Sequence, residues 1–306
     1  MSEMEKKYLD ILAKVLKEGK PHSDRTGTGT IRLFSHAETY DLTTGKFPLI
    51  TTKKMNLRLV AEELIWMLAG STDEKGLAEK KVNIWAGNAS KEECAKFGRA
   101  EGDLGPIYGH QWRNYGASMK TQADQADSYS AEKLRWVNRA YNNDGHDQIK
   151  SLVEGIQKNP DSRRLIVNAW NPAEANLVNP PPCHSFFHVQ IESGKVNLLL
   201  YQRSSDLFLG VPFNLAFYSL LTQLLAMVTN LEVGTFSHHM GDLHIYKDHI
   251  EQCNEQISRE PFESPVIKIN ERLRGKGLQG LMDFRFEDVE LIDYKSHASI
   301  KGKMSV

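Results

Sequence analysis

Cysteine is scarce. The 306 residues hold three, Cys94, Cys183 and Cys253. An odd, sparse set does not make a disulfide framework, and it fits a reducing compartment. Net charge is nearly absent as well. Lys and Arg number 38 against 39 Asp and Glu, a formal charge of −1. That balance excludes a broad nucleic-acid face and leaves room for a local basic pocket. No apolar run is expected to approach the roughly eighteen residues of a membrane span. The opening "MSEMEKKYLDILAKVLKEGK" carries acidic residues and no apolar h-region, so no secretion signal is expected. Repeats and low-complexity tracts are missing too. These absences predict a cytoplasmic protein.

What is present is ordinary globular composition, 40% hydrophobic and 25% charged. Leu9, Leu12 and Leu16, with Ile11 and Val15, make a helical stripe that Gly19 stops. "TIRLFSHAETYDL" (30–42) reads as a strand, and "RLVAEELIWMLAG" (58–70) as a helix with a broad apolar face. Residues 117–147 are polar and read as a surface insertion, with a short helix near 134–141. A helix over 147–160 ends at Asn-Pro. Strands follow at 164–170, 186–192 and 196–202, the last two forming a hairpin across Ser-Gly. Residues 214–230 are apolar nearly all round, which predicts a buried central helix. A polar helix is expected over about 243–257 and a strand over 284–294. Helices and strands mix without strict βαβ alternation. The expectation is one α+β domain spanning 1–306, built on a large mixed sheet.

Several short stretches are candidates for chemistry. In "NPPPCHSFF" (179–187) three prolines stiffen the approach to Cys183, and His184 follows it. An isolated cysteine is more often a small buried hydrophobe than a nucleophile. A nucleophilic thiolate needs positive charge nearby. "DSRR" (161–164) and "YQRSSD" (201–206) offer arginines at strand ends. Arginine beside serine suits a phosphate, because the charged guanidinium forks onto oxygens. Surface ion pairing is the plainer use. "DRTGTGT" (24–30) is glycine-rich but lacks the lysine and spacing of a P-loop, so a simple hairpin is the favoured reading. Asn214 in "GVPFN" either caps the central helix or presents an amide that reads a heterocycle edge. His244 and Tyr246 in "GDLHIY" share one side of an extended segment and could meet a sugar hydroxyl. On the apolar helix, Glu62 can be the solvated carboxylate while Glu63 faces inward with a raised pKa, although an exposed helix glutamate is the favoured reading of the residue by itself. His238 and His239 are adjacent, but no spacing reads as a metal site.

Eight blocks, "DRTGTGT", "FPLITTKK", "EELIW", "GDLGPIYGHQWR", "DSRRLIVNAWNP", "PPCHSFF", "YQRSSDLFLGVPFN" and "GDLHIY", occur in the order found in thymidylate synthases. The resemblance runs from about residue 20 to the closing "IKGKMSV", apart from 117–147 and a stretch near 270–280. It implies methylation of deoxyuridine monophosphate (dUMP) with methylenetetrahydrofolate as cosubstrate, without a metal. By resemblance, Cys183 adds to carbon 6 of the pyrimidine. Arg25, Gln202, Arg203 and Ser204 belong to the nucleotide site, and Asn214 reads the uracil edge. Arg163 and Arg164 resemble the pair supplied by the other subunit of a symmetric dimer joined through its sheets. His244 and Tyr246 take the sugar 3′-hydroxyl. Glu63, Tyr108 and His184 manage protons. Asp206 is placed with both nucleotide and folate, and Lys53, Trp85 and Gly210 on the folate side. Val306 closes over the folate.

The sequence departs from the family pattern at Ala86, Asn88, His110 and His188. Those positions bear on folate positioning and water exclusion. The resemblance therefore leaves a dUMP 5-hydroxymethylase as the alternative, in which water replaces hydride. A relative that binds nucleotide or RNA without catalysis is a third reading. Asn214 and the intact Cys183 and Glu63 favour the synthase.

Overall fold

The computed structural model describes residues 2–24, 26–117, 145–178 and 180–304. Arg25, Val306 and the short helix expected at 134–141 lie outside them. Eight strands form among the described residues: β1 Lys20–His22, β2 Thr30–Asp41, β3 Ile166–Asn168, β4 His184–Glu192, β5 Lys195–Asp206, β6 Glu232–Tyr246, β7 Val266–Ile269 and β8 Val289–Ile292. The first six make one sheet in the order β1-β2-β6-β5-β4-β3, and β7 pairs with β8 separately. Only β5 and β6 run parallel, so the sheet is mixed, as expected for an α+β fold.

The helices of the described residues include α1 Glu3–Glu18, α2 Leu57–Leu68, α3 Tyr108–Asn114, α4 Gln148–Lys158, α5 Gly210–Thr229 and α6 Ile250–Ile257. Capping follows the local sequence. Ser2, Asn56 and Asp147 accept backbone N–H bonds at the starts of α1, α2 and α4. The α5 helix packs on β5 and β6 and is apolar on almost every side, because sheet and helices surround it. Leu215, Phe217, Tyr218, Leu221, Leu224 and Leu225 are each at most 1% exposed. The expectation that no apolar run approaches span length fails here. By length and composition α5 could cross a membrane, yet 78% of its apolar window is buried within the protein.

The hairpin between β4 and β5 turns at Ser193 and Gly194, with φ of +49° and +75°. Two left-handed residues match the twist of the flanking strands. Other boundaries differ from expectation. The central helix starts at Gly210, not 214, because "GVPF" already has helical backbone. The polar helix begins at Ile250, since 243–246 extend β6 beside β2 and β5. Only 289–292 of the stretch 284–294 are strand, and 286–288 form a 3-10 turn. At the base of the insertion, Tyr115 bridges to His146, and Arg113 pairs with Asp147 at 2.8 Å.

Candidate active site

The antiparallel register of β4 on β5 sets the chemistry. His184 pairs with Gln202, and Arg203 N donates to the Cys183 carbonyl at 2.9 Å. The proline run cannot donate to a ladder, but its carbonyls are open. Arg203 fills them, with Nε 3.0 Å from the Pro182 oxygen and Nη2 2.6 Å from the Pro181 oxygen. The same Nη2 lies 4.0 Å from Cys183 Sγ. Trp170 stacks on the guanidinium, 5.1 Å from ring centre to carbon. Cys183 is half-buried, unlike the buried Cys94 and Cys253. Burial pushes its thiol pKa up, while Arg203, the Ser204 hydroxyl and Tyr108 pull it down. Its sulfur is thus a thiol at rest, with a guanidinium in place to favour the thiolate.

A second wall comes from α2 and α3. Tyr108 Oη accepts from Cys183 N at 2.7 Å. Glu63 accepts from Trp85 Nε1 at 2.9 Å. Burial raises the Glu63 pKa to about 7 against that bond. Glu62 is not the freely solvated neighbour expected from the sequence, because Lys80 pairs with it at 2.6 Å. The rings continue from Trp85 to Tyr108 (5.9 Å) and from Tyr108 to His184 (5.2 Å). Burial lowers the His184 pKa to about 4, so this imidazole is neutral near pH 7.

Asn214 sits in the second turn of α5, so it does not cap the helix, whose cap position is Leu209. Its Oδ1 accepts from Gln202 Nε2 at 3.0 Å. A methyl group at Gly210 would meet Asp206 and Asn214 at ordinary van der Waals distance. Asp206 Oδ1 accepts from the N–H groups of Phe208 and Leu209. Because β5 and β6 are parallel, Ser204 lies beside Asp242 and Asp206 beside His244. His244 Nδ1 is 2.9 Å from Asp242 Oδ1, and the rings of His244 and Tyr246 meet edge-on at 5.2 Å.

Not every candidate converges. Lys53 is 5% exposed and turned under the site, its ammonium bonded to the Phe208 carbonyl and 3.9 Å from the Phe208 ring centre. Burial lowers its pKa to about 8. Arg163 and Arg164 are exposed in the turn between α4 and β3, and neither makes an ion pair among the described residues. Around Arg25, the Asp24 carboxylate closes the turn by accepting from Gly29 N at 2.6 Å and Thr26 N at 2.9 Å. The hairpin reading of "DRTGTGT" therefore holds, with β1 paired to β2. No group of three potential metal ligands occurs among the described residues. A groove of about 560 Å³ opens elsewhere, lined by Lys195, Met227, Lys268 and Arg274, and holds none of these side chains.

Sequence reasoning missed Trp170 and the part played by His238. The adjacency of His238 and His239 was the only signal for the latter. Its contact with Gln202 needs the register of β6 on β5.

Comparison with known proteins agrees with the resemblance. The sequence model described as "Thymidylate synthase" matches residues 6–306. The chain is 43% identical over 306 residues to a bifunctional dihydrofolate reductase-thymidylate synthase of Paramecium tetraurelia. The alignment covers 99% of the chain and 61% of that relative, so the chain spans about three fifths of its length. With the family pattern matched almost end to end, this chain belongs to the thymidylate synthase family.

Proposed function

We propose that the chain is a thymidylate synthase, which methylates dUMP at carbon 5 through a covalent bond from Cys183 to carbon 6. The observation that carries this reading is the half-buried Cys183 sulfur 4.0 Å from Arg203, whose strand neighbour Gln202 bonds the Asn214 amide. Carbon 5 of uracil is a poor nucleophile. Thiolate addition at carbon 6 moves electron density to carbon 5 and oxygen 4. The Asn214 amide meets oxygen 4, where fixed donors are most effective. Arg25, Arg203 and Ser204 hold the phosphate, joined by Arg163 and Arg164 of a second copy. His244 and Tyr246 take the 3′-hydroxyl. Glu63, with a pKa near neutrality, exchanges protons with the ring oxygen through water. Tyr108 and His184 keep that water ordered, and the carbon 5 proton passes to it.

The folate, methylenetetrahydrofolate, supplies the one-carbon unit and the hydride. The cleft suits such a group. Trp85 offers a flat aromatic wall, and Asp206 Oδ2 has no hydrogen-bond partner among the described residues, which fits an amine-bearing heterocycle. Trp85, Asp206, Gly210 and the terminal Val306 hold it and exclude water, while Lys53 supports the Phe208 segment from beneath. A symmetric dimer joined through the sheets, in the cytoplasm, completes the reading. Exposed Phe34, Ile166 and Phe186 on the sheet, away from α5, support that interface.

Incubation with dUMP and methylenetetrahydrofolate tests the reading. Dihydrofolate absorbance should rise with formation of thymidine monophosphate. A hydroxymethyl product with tetrahydrofolate overturns the synthase in favour of the hydroxymethylase.

A further inference from the structure

The buried end of the base-reading amide rests on a residue that the reaction does not use. Gln202 Nε2 donates to Asn214 Oδ1 at 3.0 Å and to the Ser204 carbonyl at 2.9 Å. A backbone carbonyl only accepts, so the second bond identifies which end of the Gln202 amide is nitrogen. The amide oxygen then points the other way, 2.8 Å from His238 Nε2. That oxygen also only accepts, so His238 carries its proton on Nε2. Burial lowers the His238 pKa to about 3, which keeps the ring neutral and leaves Nδ1 a bare acceptor. Nδ1 has no partner among the described residues. The ring stacks on Phe236 at 5.6 Å and 29°. Gln202 is 2% exposed and His238 1%.

We propose that His238 is a specificity-determining positioning residue: its Nε2–H fixes the direction of the Gln202 amide, which makes Asn214 offer its NH2 group to the base and so selects uracil over cytosine. The inference rests on the nucleotide reading given above. The two bases differ at carbon 4, where uracil has an accepting oxygen and cytosine a donating amino group. An Asn side chain turned over by 180° presents oxygen there and suits cytosine. The two orientations have almost the same shape, so only hydrogen bonds choose between them. With Gln202 held, Asn214 Oδ1 is tied back toward it. A reversed Gln202 sets oxygen against the Ser204 carbonyl and NH2 against the His238 N–H. Both contacts are repulsive in a dry place, where unmet polar groups are costly. Without the His238 donor, the Ser204 bond alone opposes reversal, and the Gln202 oxygen is buried without a partner.

Binding of dUMP and dCMP by the full-length protein, together with kcat/KM for each, tests the relay. Wild-type protein should prefer dUMP. His238→Phe keeps a ring and removes the donor. It should reduce the preference by about tenfold or more, the size of one lost buried hydrogen bond, mainly through KM for dUMP. His238→Gln returns an N–H donor and should recover most of the preference. An unchanged dUMP-to-dCMP ratio in folded His238→Phe overturns the relay. Should that variant not fold, the 15N spectrum of His238 in wild-type protein decides: a proton on Nε2 supports the relay, and a proton on Nδ1 overturns it. Wild-type protein that binds neither nucleotide refutes the reading of the site itself, and that result comes before any variant is made.

Discussion

Replacing Glu63 by glutamine separates the cost of a buried charge from its use. The wild-type carboxyl has a pKa raised from 4.5 to about 7. Between those values the folded protein holds a proton that the unfolded chain has lost. Stability therefore falls as pH rises through this window, and the cost is complete above it. At about 1.4 kcal/mol per pKa unit, the shift corresponds to about 3 kcal/mol. Glutamine keeps an Oε1 acceptor for the Trp85 N–H, so the local geometry survives. Urea unfolding of both proteins at about pH 5 and about pH 9 measures the difference. Glu63→Gln should gain on wild type by about 2–3 kcal/mol between the two conditions, and turnover should fall by about a hundredfold or more. The acid limb near neutrality should leave its pH profile. A stability difference that does not change with pH refutes the buried-charge argument. Unimpaired turnover refutes the proton role.

Other outcomes follow from the same geometry. Cys183→Ser should abolish turnover and leave dUMP binding within about threefold, by calorimetry, because the thiol's task is bond formation. Asn214→Asp should shift preference from dUMP toward dCMP in competition binding; an unchanged ratio counts against Asn214 as the base reader. Arg203→Gln removes the cation 4.0 Å from the sulfur, and alkylation of Cys183 by iodoacetamide should slow by about tenfold at fixed pH. Mixing inactive Cys183→Ser with an inactive Arg164→Gln protein should restore activity through hybrid dimers, each holding one intact site; no restoration excludes a phosphate site shared between subunits.

Periodicity was enough for elements whose signal is local. The α1 stripe, the β4–β5 hairpin with its Ser-Gly turn and the all-round apolar α5 appear where the pattern set them. Strand β6 was legible only near its end, because 232–240 alternate weakly and the polar residues after 243 mimic a helix. Its extended form comes from pairing with both β2 and β5, which are remote in sequence. The early start of α5 had a similar cause. "GVPF" looks like a loop, yet proline is tolerated in a first helical turn. For the site, Cys183, Arg203 and Asn214 could be named from their blocks, while their neighbours depended on register. The adjacent His238 and His239 differ completely in consequence. Only the first points inward, where Gln202 waits. Lys53 shows the converse, a residue named for the folate side whose ammonium turns beneath Phe208.

Mass spectrometry of the protein after incubation with 5-fluoro-dUMP and methylenetetrahydrofolate tests the nucleophile most directly. Fluorine at carbon 5 cannot leave as a proton does, so the covalent complex should accumulate. One nucleotide and one folate per active site are expected, with the adduct on the peptide containing Cys183. No adduct, or an adduct on Cys94 or Cys253, contradicts Cys183 as the nucleophile.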